Sequence, residues 1–350
     1  MKKIRVLVLM GGKTPEYEVS LVSGREVVRN LNEKKYEVLP VVISKDGQKW
    51  ELKTKNSFLL DSPVEISRTD RYLLNKEKKT TLSQESLQAN SISQKADVVF
   101  IAMHGPYGED GTVQGMLDLL GIPYTGSGVL ASALGMDKPM FRKVINAEGL
   151  PTPKWVVLNK GENLNKIWQK LRLPVVVKPS AQGSSVGVTI VRKMEDLSDA
   201  LNKAFNFGPQ IIIDEYLPGT EVTCGVLGNE KPVALPVVEI IPKKEFFDYE
   251  AKYQPGMSEE IAPARISRKL TKKVQDLAIK VYKAIGCRGF GRVDMIIFKG
   301  KPYVLEINTI PGLTPNSLLP KAAKAAGISF SDMLDKIIGF ALERNEEIFS

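Results

Sequence analysis

Apolar and polar positions in the first third of the chain follow two alternating rhythms. IRVLVLM (4–10) is an unbroken apolar run of strand length, closed by a Gly-Gly pair. EVSLVSGREVVRNL (18–31) changes to helical spacing, and YEVLPVVIS (36–44) returns to strand composition. The alternation recurs at ADVVFIAMHG (96–105), a strand, and around VQGMLDLLG (113–121), a helix. Strands that are apolar on both faces and followed by covering helices predict a parallel α/β sheet. Residues 51–95 break the rhythm. They are rich in Lys, Ser, Asn and Gln, weakly periodic, and predict a variable insertion outside the chemistry.

Near Gly126 the pattern changes. Residues 126–150 predict two short helices, the second capped by Asp137 with Pro139 in its first turn. Strands at 155–158, 174–180, 186–191 and 210–217, with helices near 162–171 and 195–205, predict a compact α+β unit. From Glu221 to Asn308 strands dominate, interrupted by one amphipathic helix, LTKKVQDLAIKVYKAIG (270–286). Two helices, NSLLPKAAKAAG and FSDMLDKIIGFALERN, close the chain. A length of 350 residues exceeds one typical core and predicts two or three domains.

Composition narrows the class. With 43% hydrophobic and 25% charged residues the chain is expected to be globular and soluble. The opening MKKIRVLVLMGG has an apolar run too short for a secretory signal, and no stretch reaches membrane-span length, so no membrane association is expected. Cys224 and Cys287 stand in separate apolar contexts, which predicts buried free thiols and fits a reducing cytoplasm. The net charge of +9 is dispersed and lacks an aromatic-basic ladder, which argues against a nucleic-acid partner.

Three stretches could carry chemistry. RVDMIIF (292–298) and KPYVLEIN (301–308) read as a hairpin turning at Lys299-Gly300. Glu306 and Asn308 share one face while Leu305 and Ile307 face the core. Pairing symmetric about Gly300 sets Asp294 opposite Glu306 and Arg292 opposite Asn308. Acids so opposed lie about 5 Å apart at Cβ and repel. Either a hard cation such as Mg²⁺, shared with substrate phosphates, compensates them, or the face is solvated and the acids spread apart; a one-residue slip would separate them. In VVKPSAQGSSVGV (176–188) an apolar strand delivers Lys178 to a Gly/Ser loop, which is either a phosphate cradle or an ordinary turn; a largely buried ammonium favours an anionic partner. The loops GGKTPEYEVS (11–20) and MHGPYGEDGTVQG (103–115) follow the carboxyl ends of strands, where α/β folds bind ligands. The second holds His104, the chain's single histidine, either structural or functional.

Taken together and in order, GGKTPEYEVSLVSG, HGPYGEDGTVQGMLDLLGIPYTGSG, SALGMDK, VVKPSAQGSSVGV, FFDYEAKY, GFGRVD and LEINTIPGLTPNSLLP resemble the D-alanine–D-alanine ligases of the ATP-grasp superfamily. The resemblance spans nearly the whole chain apart from 51–95 and the extreme C-terminus. It implies an N-terminal parallel α/β domain (1–126) and two α+β domains (127–213 and 214–350) that enclose ATP. It implies transfer of phosphate from ATP to the carboxylate of one D-alanine, attack by the amine of a second, and a place in peptidoglycan precursor synthesis. By position, Asp294, Glu306 and Asn308 match the ligands of two Mg²⁺ ions, for which Mn²⁺ can substitute. Lys138 and Lys178 match the lysines on the ATP phosphates; Asp214, Glu215, Leu217 and Glu221 match the nucleotide-binding linker. Glu16, His104 and Lys252 fall near the substrates. Ser184 with Glu16 and Tyr253 matches a trio that orders the loops. Arg292 and the Gly312 amide match an oxyanion hole, and Ser317 with Leu318 matches the pocket for the second substrate's carboxylate. The family also implies a homodimer. The chain departs from the pattern at Asp214, where the family usually has Glu, which bears on adenine contacts. Competing readings are a D-alanine–D-serine or D-alanine–D-lactate ligase, another ATP-grasp carboxylate–amine ligase, and a non-catalytic nucleotide-binding protein. The last has no need for Asp294, Glu306, Asn308 and Arg292 beside two phosphate lysines.

Overall fold

Two apolar runs with helical spacing between them make the first layers. In the computed structural model, which describes residues 2–60, 85–86, 94–180, 187–242, 258–314 and 316–349, β1 (Ile4–Gly11) is followed by α1 (Tyr17–Asn30) and β2 (Tyr36–Ile43). β3 (Trp50–Leu52), α2 (Lys55–Leu60), β4 (Glu85–Ser86) and β5 (Val98–Ile101) complete a sheet of order β4-β3-β2-β1-β5. β1 pairs in parallel with β2 and β5, as the apolar runs predict, whereas β3 and β4 pair antiparallel at the edge. Part of the 51–95 insertion is therefore regular structure: Trp50-Glu51-Leu52 extends the sheet because half-buried side chains there cover its margin. Residues 61–84 and 87–93 lie outside the described residues. After β5 come α3 (Thr112–Leu119), α4 (Val129–Met136) and α5 (Lys138–Ala147), the last capped by Asp137, whose carboxylate accepts from the Met140 amide at 2.9 Å.

The middle of the chain forms a second, antiparallel sheet of order β6-β9-β7-β8, from β6 (Trp155–Asn159), α6 (Asn165–Lys170), β7 (Val175–Pro179), β8 (Thr189–Val191), α7 (Leu197–Phe205) and β9 (Gln210–Glu215). β9 runs through Glu215, so the division expected at 213/214 falls inside that strand. Its core joins alternate residues of β7 and β9 to the apolar face of α7.

The third sheet, order β13-β12-β10-β14-β15 with β11 against β10, is built from β10 (Thr220–Leu227), β11 (Val233–Ala234), β12 (Val238–Pro242), β13 (Ser258–Ile261), β14 (Phe290–Phe298) and β15 (Lys301–Asn308). α8 (Arg268–Ala284) lays Val274, Leu277, Ala278 and Val281 on it. The closing helices α9 (Leu318–Ala325) and α10 (Phe330–Phe349) return to the first sheet: Leu319, Met333, Leu334 and Ile337 share a continuous core with Val6, Val8 and Val27. That core ties the two ends of the chain together.

The hairpin register has an unexpected basis. Lys299 and Gly300 are the two turn residues, with φ of 49° and 72°, as a primed turn requires. From this turn Phe298 pairs with Lys301 and Met295 with Val304, one residue off the symmetric expectation. A bulge then leaves Leu305 as the extra residue of β15 and restores Asp294 opposite Glu306 and Arg292 opposite Asn308. Leu305 is consequently not a core residue. Val304 and Ile307 are buried, and Leu305 is half-buried.

Candidate active site between two sheets

Helix α5 places Lys138 and Arg142 one turn apart on one face. Strand β7 delivers Lys178 and strand β9 delivers Asp214. Asp214 is 2% exposed, and its Oδ2 lies 2.7 Å from Lys178 Nζ and 3.0 Å from Arg142 Nη2. The anionic partner expected for Lys178 is thus Asp214.

Across the cleft, the hairpin holds the acids as the restored register places them. Asp294 Oδ1 accepts from Arg292 Nε at 2.8 Å and Thr223 Oγ1 at 2.6 Å. Its Oδ2 accepts from Arg292 Nη2 at 2.8 Å and Asn308 Nδ2 at 3.0 Å. Glu306 pairs with Lys138 at 3.2 Å. Each of the opposed carboxylates therefore has its own cation, which offsets the repulsion their pairing creates.

Between these walls lies a cavity of about 490 Å³. Lys138, Lys178, Asp214, Glu215, Leu217, Glu221, Arg292, Asp294, Glu306 and Leu318 all line it, together with the apolar Val176, Tyr216, Ile240 and Leu305. Its size and its mix of apolar wall with convergent charge are those of a small-ligand site. Asn308 adjoins it through its bond to Asp294. Two carboxylates and one carboxamide offer a hard-oxygen set suited to Mg²⁺ but short of a full shell, and no cluster of three His, Cys, Asp or Glu fit to hold a metal occurs among the described residues. The donor set fits an ion that takes its remaining ligands from phosphate and water.

A second cluster forms where the N-terminal loops meet the segment after β15. His104, 4% exposed, has Nε2 2.8 Å from Ser23 Oγ, and its ring also bonds the Ile310 backbone. Burial lowers its pKa, so the imidazole is neutral near pH 7. The Leu313 amide donates to the same Ser23 hydroxyl at 3.4 Å. Ser20 bridges the Gly11 amide and the Ala102 carbonyl, each at 2.8 Å. Glu16 lies against Gly105, where an added Cβ would come within 2.6 Å of its Oε2. Ser317 leads into α9, its Oγ 3.1 Å from the Thr314 amide and 2.8 Å from Thr314 Oγ1; a Cβ on Gly312 would meet that Oγ at 3.0 Å. Ser184, Lys252 and Tyr253 lie outside the described residues.

Sequence reasoning passed over Ser20, Ser23, Arg142 and Glu109. The serines had a signal: two hydroxyls three residues apart on an otherwise apolar helix face. Glu109 Oε2 accepts from the Gly105 amide at 2.6 Å. Although the residue as a whole is only half-buried, desolvation of its carboxyl and then the nearby Glu16 charge push its pKa up to about 8. The folded protein thus holds a proton that the unfolded chain releases near pH 4.5. Between those values the native state binds more protons, so this group's contribution to stability falls as pH rises. We expect Glu109→Gln, which keeps the acceptor, to lose less melting temperature than wild type between pH 5 and pH 8; equal slopes would show that Glu109 is ionised throughout.

One mixed and two antiparallel sheets, with a cavity walled by the second and third, are the architecture expected of an ATP-grasp fold. Comparisons with known proteins agree. The profile described as D-ala D-ala ligase N-terminus matches residues 5–127, and that described as D-ala D-ala ligase C-terminus matches residues 144–339. A D-alanine–D-alanine ligase of Pelotomaculum thermopropionicum is 42% identical over 349 residues, 97% of each chain. Among solved structures, the VanG D-Ala:D-Ser ligase from Enterococcus faecalis superposes with a TM-score of 0.83 at 35% identity, covering 97% of this chain and 100% of that one. The D-alanine–D-alanine ligase from Bacillus anthracis complexed with ATP gives 0.76 at 33% identity, covering 99% of each. The chain belongs to the D-alanine–D-alanine ligase family.

Proposed function

We propose that this chain joins two D-alanine molecules at the expense of ATP, releasing ADP and phosphate, in the cytoplasm and as a homodimer, for peptidoglycan precursor synthesis. The observation that carries the reading is the convergence on one cavity of Lys138 and Lys178 from one wall with Arg292, Asp294 and Glu306 from the other. The two unpaired, buried thiols, with pKa values raised to about 12 by burial, fit a reducing compartment. Among the described residues no helix is long and apolar enough to cross a membrane. The three sheets support a division near 1–126, 127–213 and 214–350.

The first D-alanine presents its carboxylate to the γ-phosphorus. A carboxylate oxygen forms the new P–O bond while the bond to ADP breaks. The amine of the second D-alanine then attacks the acyl carbon and loses a proton, and phosphate leaves with the former carboxylate oxygen. Such a reaction needs positioning and charge neutralisation more than covalent help from the protein. Lys138 and Lys178 would neutralise the phosphates. Asp294, Glu306 and Asn308 would hold Mg²⁺ or Mn²⁺, which supplies further positive charge to the phosphoryl oxygens. Glu16 would meet the first ammonium, and His104, neutral and tied to Ser23, would hold the loop that presents it. Arg292 and the Gly312 amide would stabilise the tetrahedral oxyanion. Ser317, with Leu318 at the start of α9, would receive the second carboxylate. Ser184 with Glu16 and Tyr253 would order the loops at the substrates, and Lys252 would contribute to substrate binding.

The similarity to a D-Ala:D-Ser ligase favours D-serine as the alternative second substrate. Phosphate release from Mg²⁺-ATP with D-alanine, L-alanine, D-serine or D-lactate, singly and in pairs, decides. D-alanine alone is expected to suffice. No release with D-alanine alone contradicts the main reading, and release only when D-serine or D-lactate is added replaces the second substrate.

A further inference from the structure

The nucleotide-facing wall contains a buried charge trio that is only partly satisfied. Arg142 is the largest fully buried side chain among the described residues, at 1% exposure. Among the described residues its polar contact is Nη2 donating to Asp214 Oδ2 at 3.0 Å. Its Nε and Nη1, and Oδ1 of Asp214, are buried without hydrogen-bond partners among the described residues. Lys178 reaches the same Oδ2 at 2.7 Å. Two cations thus share one oxygen of one carboxylate, and the trio carries a net charge of +1. Burying a guanidinium with most of its donors idle is costly, so a stability role explains it poorly.

Asp214 and Lys178 line the cavity, whereas Arg142 stands behind them. Alone with Asp214, Lys178 would form a closed pair of zero net charge, held away from any anion by a contact it would have to break. A second cation on the same oxygen weakens that hold and leaves the wall positive. We infer that Arg142 is a positioning residue: by sharing Asp214 it keeps the Lys178 ammonium available to the phosphates of the nucleotide. The inference rests on the reading that ATP occupies this cavity.

The test is ATP binding to the full-length protein by calorimetry, with KM for D-alanine and melting temperature measured alongside. Wild type is expected to bind ATP; if it does not, the nucleotide reading itself falls. Arg142→Met, similar in length and uncharged, is expected to weaken ATP binding roughly tenfold, because Asp214 then holds Lys178 alone and the nucleotide must break that pair. KM for D-alanine should stay within about twofold, and Arg142→Lys should restore most of the ATP affinity. The discriminating measurement is made in an Asp214→Asn background. There Lys178 has no carboxylate to be freed from, so Arg142→Met is expected to cost less than about threefold, and Arg142→Met/Asp214→Asn is expected to bind ATP more tightly than Arg142→Met alone. A merely structural arginine predicts the opposite ordering, with the double variant weaker than either single. Should Arg142→Met fail to fold, Arg142→Gln, which keeps a donor to Asp214 and removes the charge, carries the same expectation. Unchanged ATP affinity in wild-type-like folded Arg142→Met or Arg142→Gln, or equal losses in both backgrounds, overturns the inference.

Discussion

Glu306→Gln is expected to reduce turnover by roughly a thousandfold while leaving the melting temperature within about 3 °C of wild type. The side chain is a quarter exposed, and its ion-pair partner Lys138, at 3.2 Å, lines the same cavity, so losing the carboxylate charge does not seal a cation in a dry core. What it removes is one of the two acids that face each other across the hairpin. If those acids hold a cation shared with the nucleotide, a glutamine of equal size cannot replace the lost charge. Steady-state phosphate release with a thermal melt on the same preparation checks both halves. Near-normal turnover would mean that Glu306 serves only to balance Lys138.

Arg292→Met is expected to lower kcat about a hundredfold with much smaller effects on KM for ATP, as for removal of one donor to a developing oxyanion. The guanidinium makes two bonds to Asp294, both at 2.8 Å, so a second role as counter-ion is built into the site. The two roles separate kinetically. A loss confined to kcat points to stabilisation of the intermediate. A rise in KM for ATP with kcat unchanged would show that Arg292 acts through Asp294 on the nucleotide side alone.

The elements that apolar rhythm predicts are present: β1, α1, β2, the Asp137-capped helix and the 292–308 hairpin. The opposition of Asp294 to Glu306 was legible too, but for an incomplete reason. Symmetry about Gly300 gives that pair only because two departures cancel, a two-residue turn and a bulge at Leu305. A bulge has no compositional mark in VLEIN, since Leu suits either face until the ladder shifts under it. The short strands Trp50–Leu52 and Glu85–Ser86 hold too few residues to show a period. Arg142 was hidden for another reason. On α5 it looks like any surface base, and only the tertiary fold brings Lys178 of β7 and Asp214 of β9 together with it. That contact commits Asp214 Oδ2 to two cations, while its Oδ1 is buried without a hydrogen-bond partner among the described residues. Glu109 escaped because its shift arises from desolvation and from Glu16, a residue distant in sequence.

In the proposed reaction a carboxylate oxygen of the first D-alanine passes to phosphate. Turnover of D-alanine carrying ¹⁸O in its carboxyl group, with unlabelled ATP and water, tests this directly by mass analysis of the released phosphate. Acyl phosphate chemistry predicts one ¹⁸O in each phosphate released and one oxygen lost from the first residue of the product dipeptide. Unlabelled phosphate alongside dipeptide formation would contradict it.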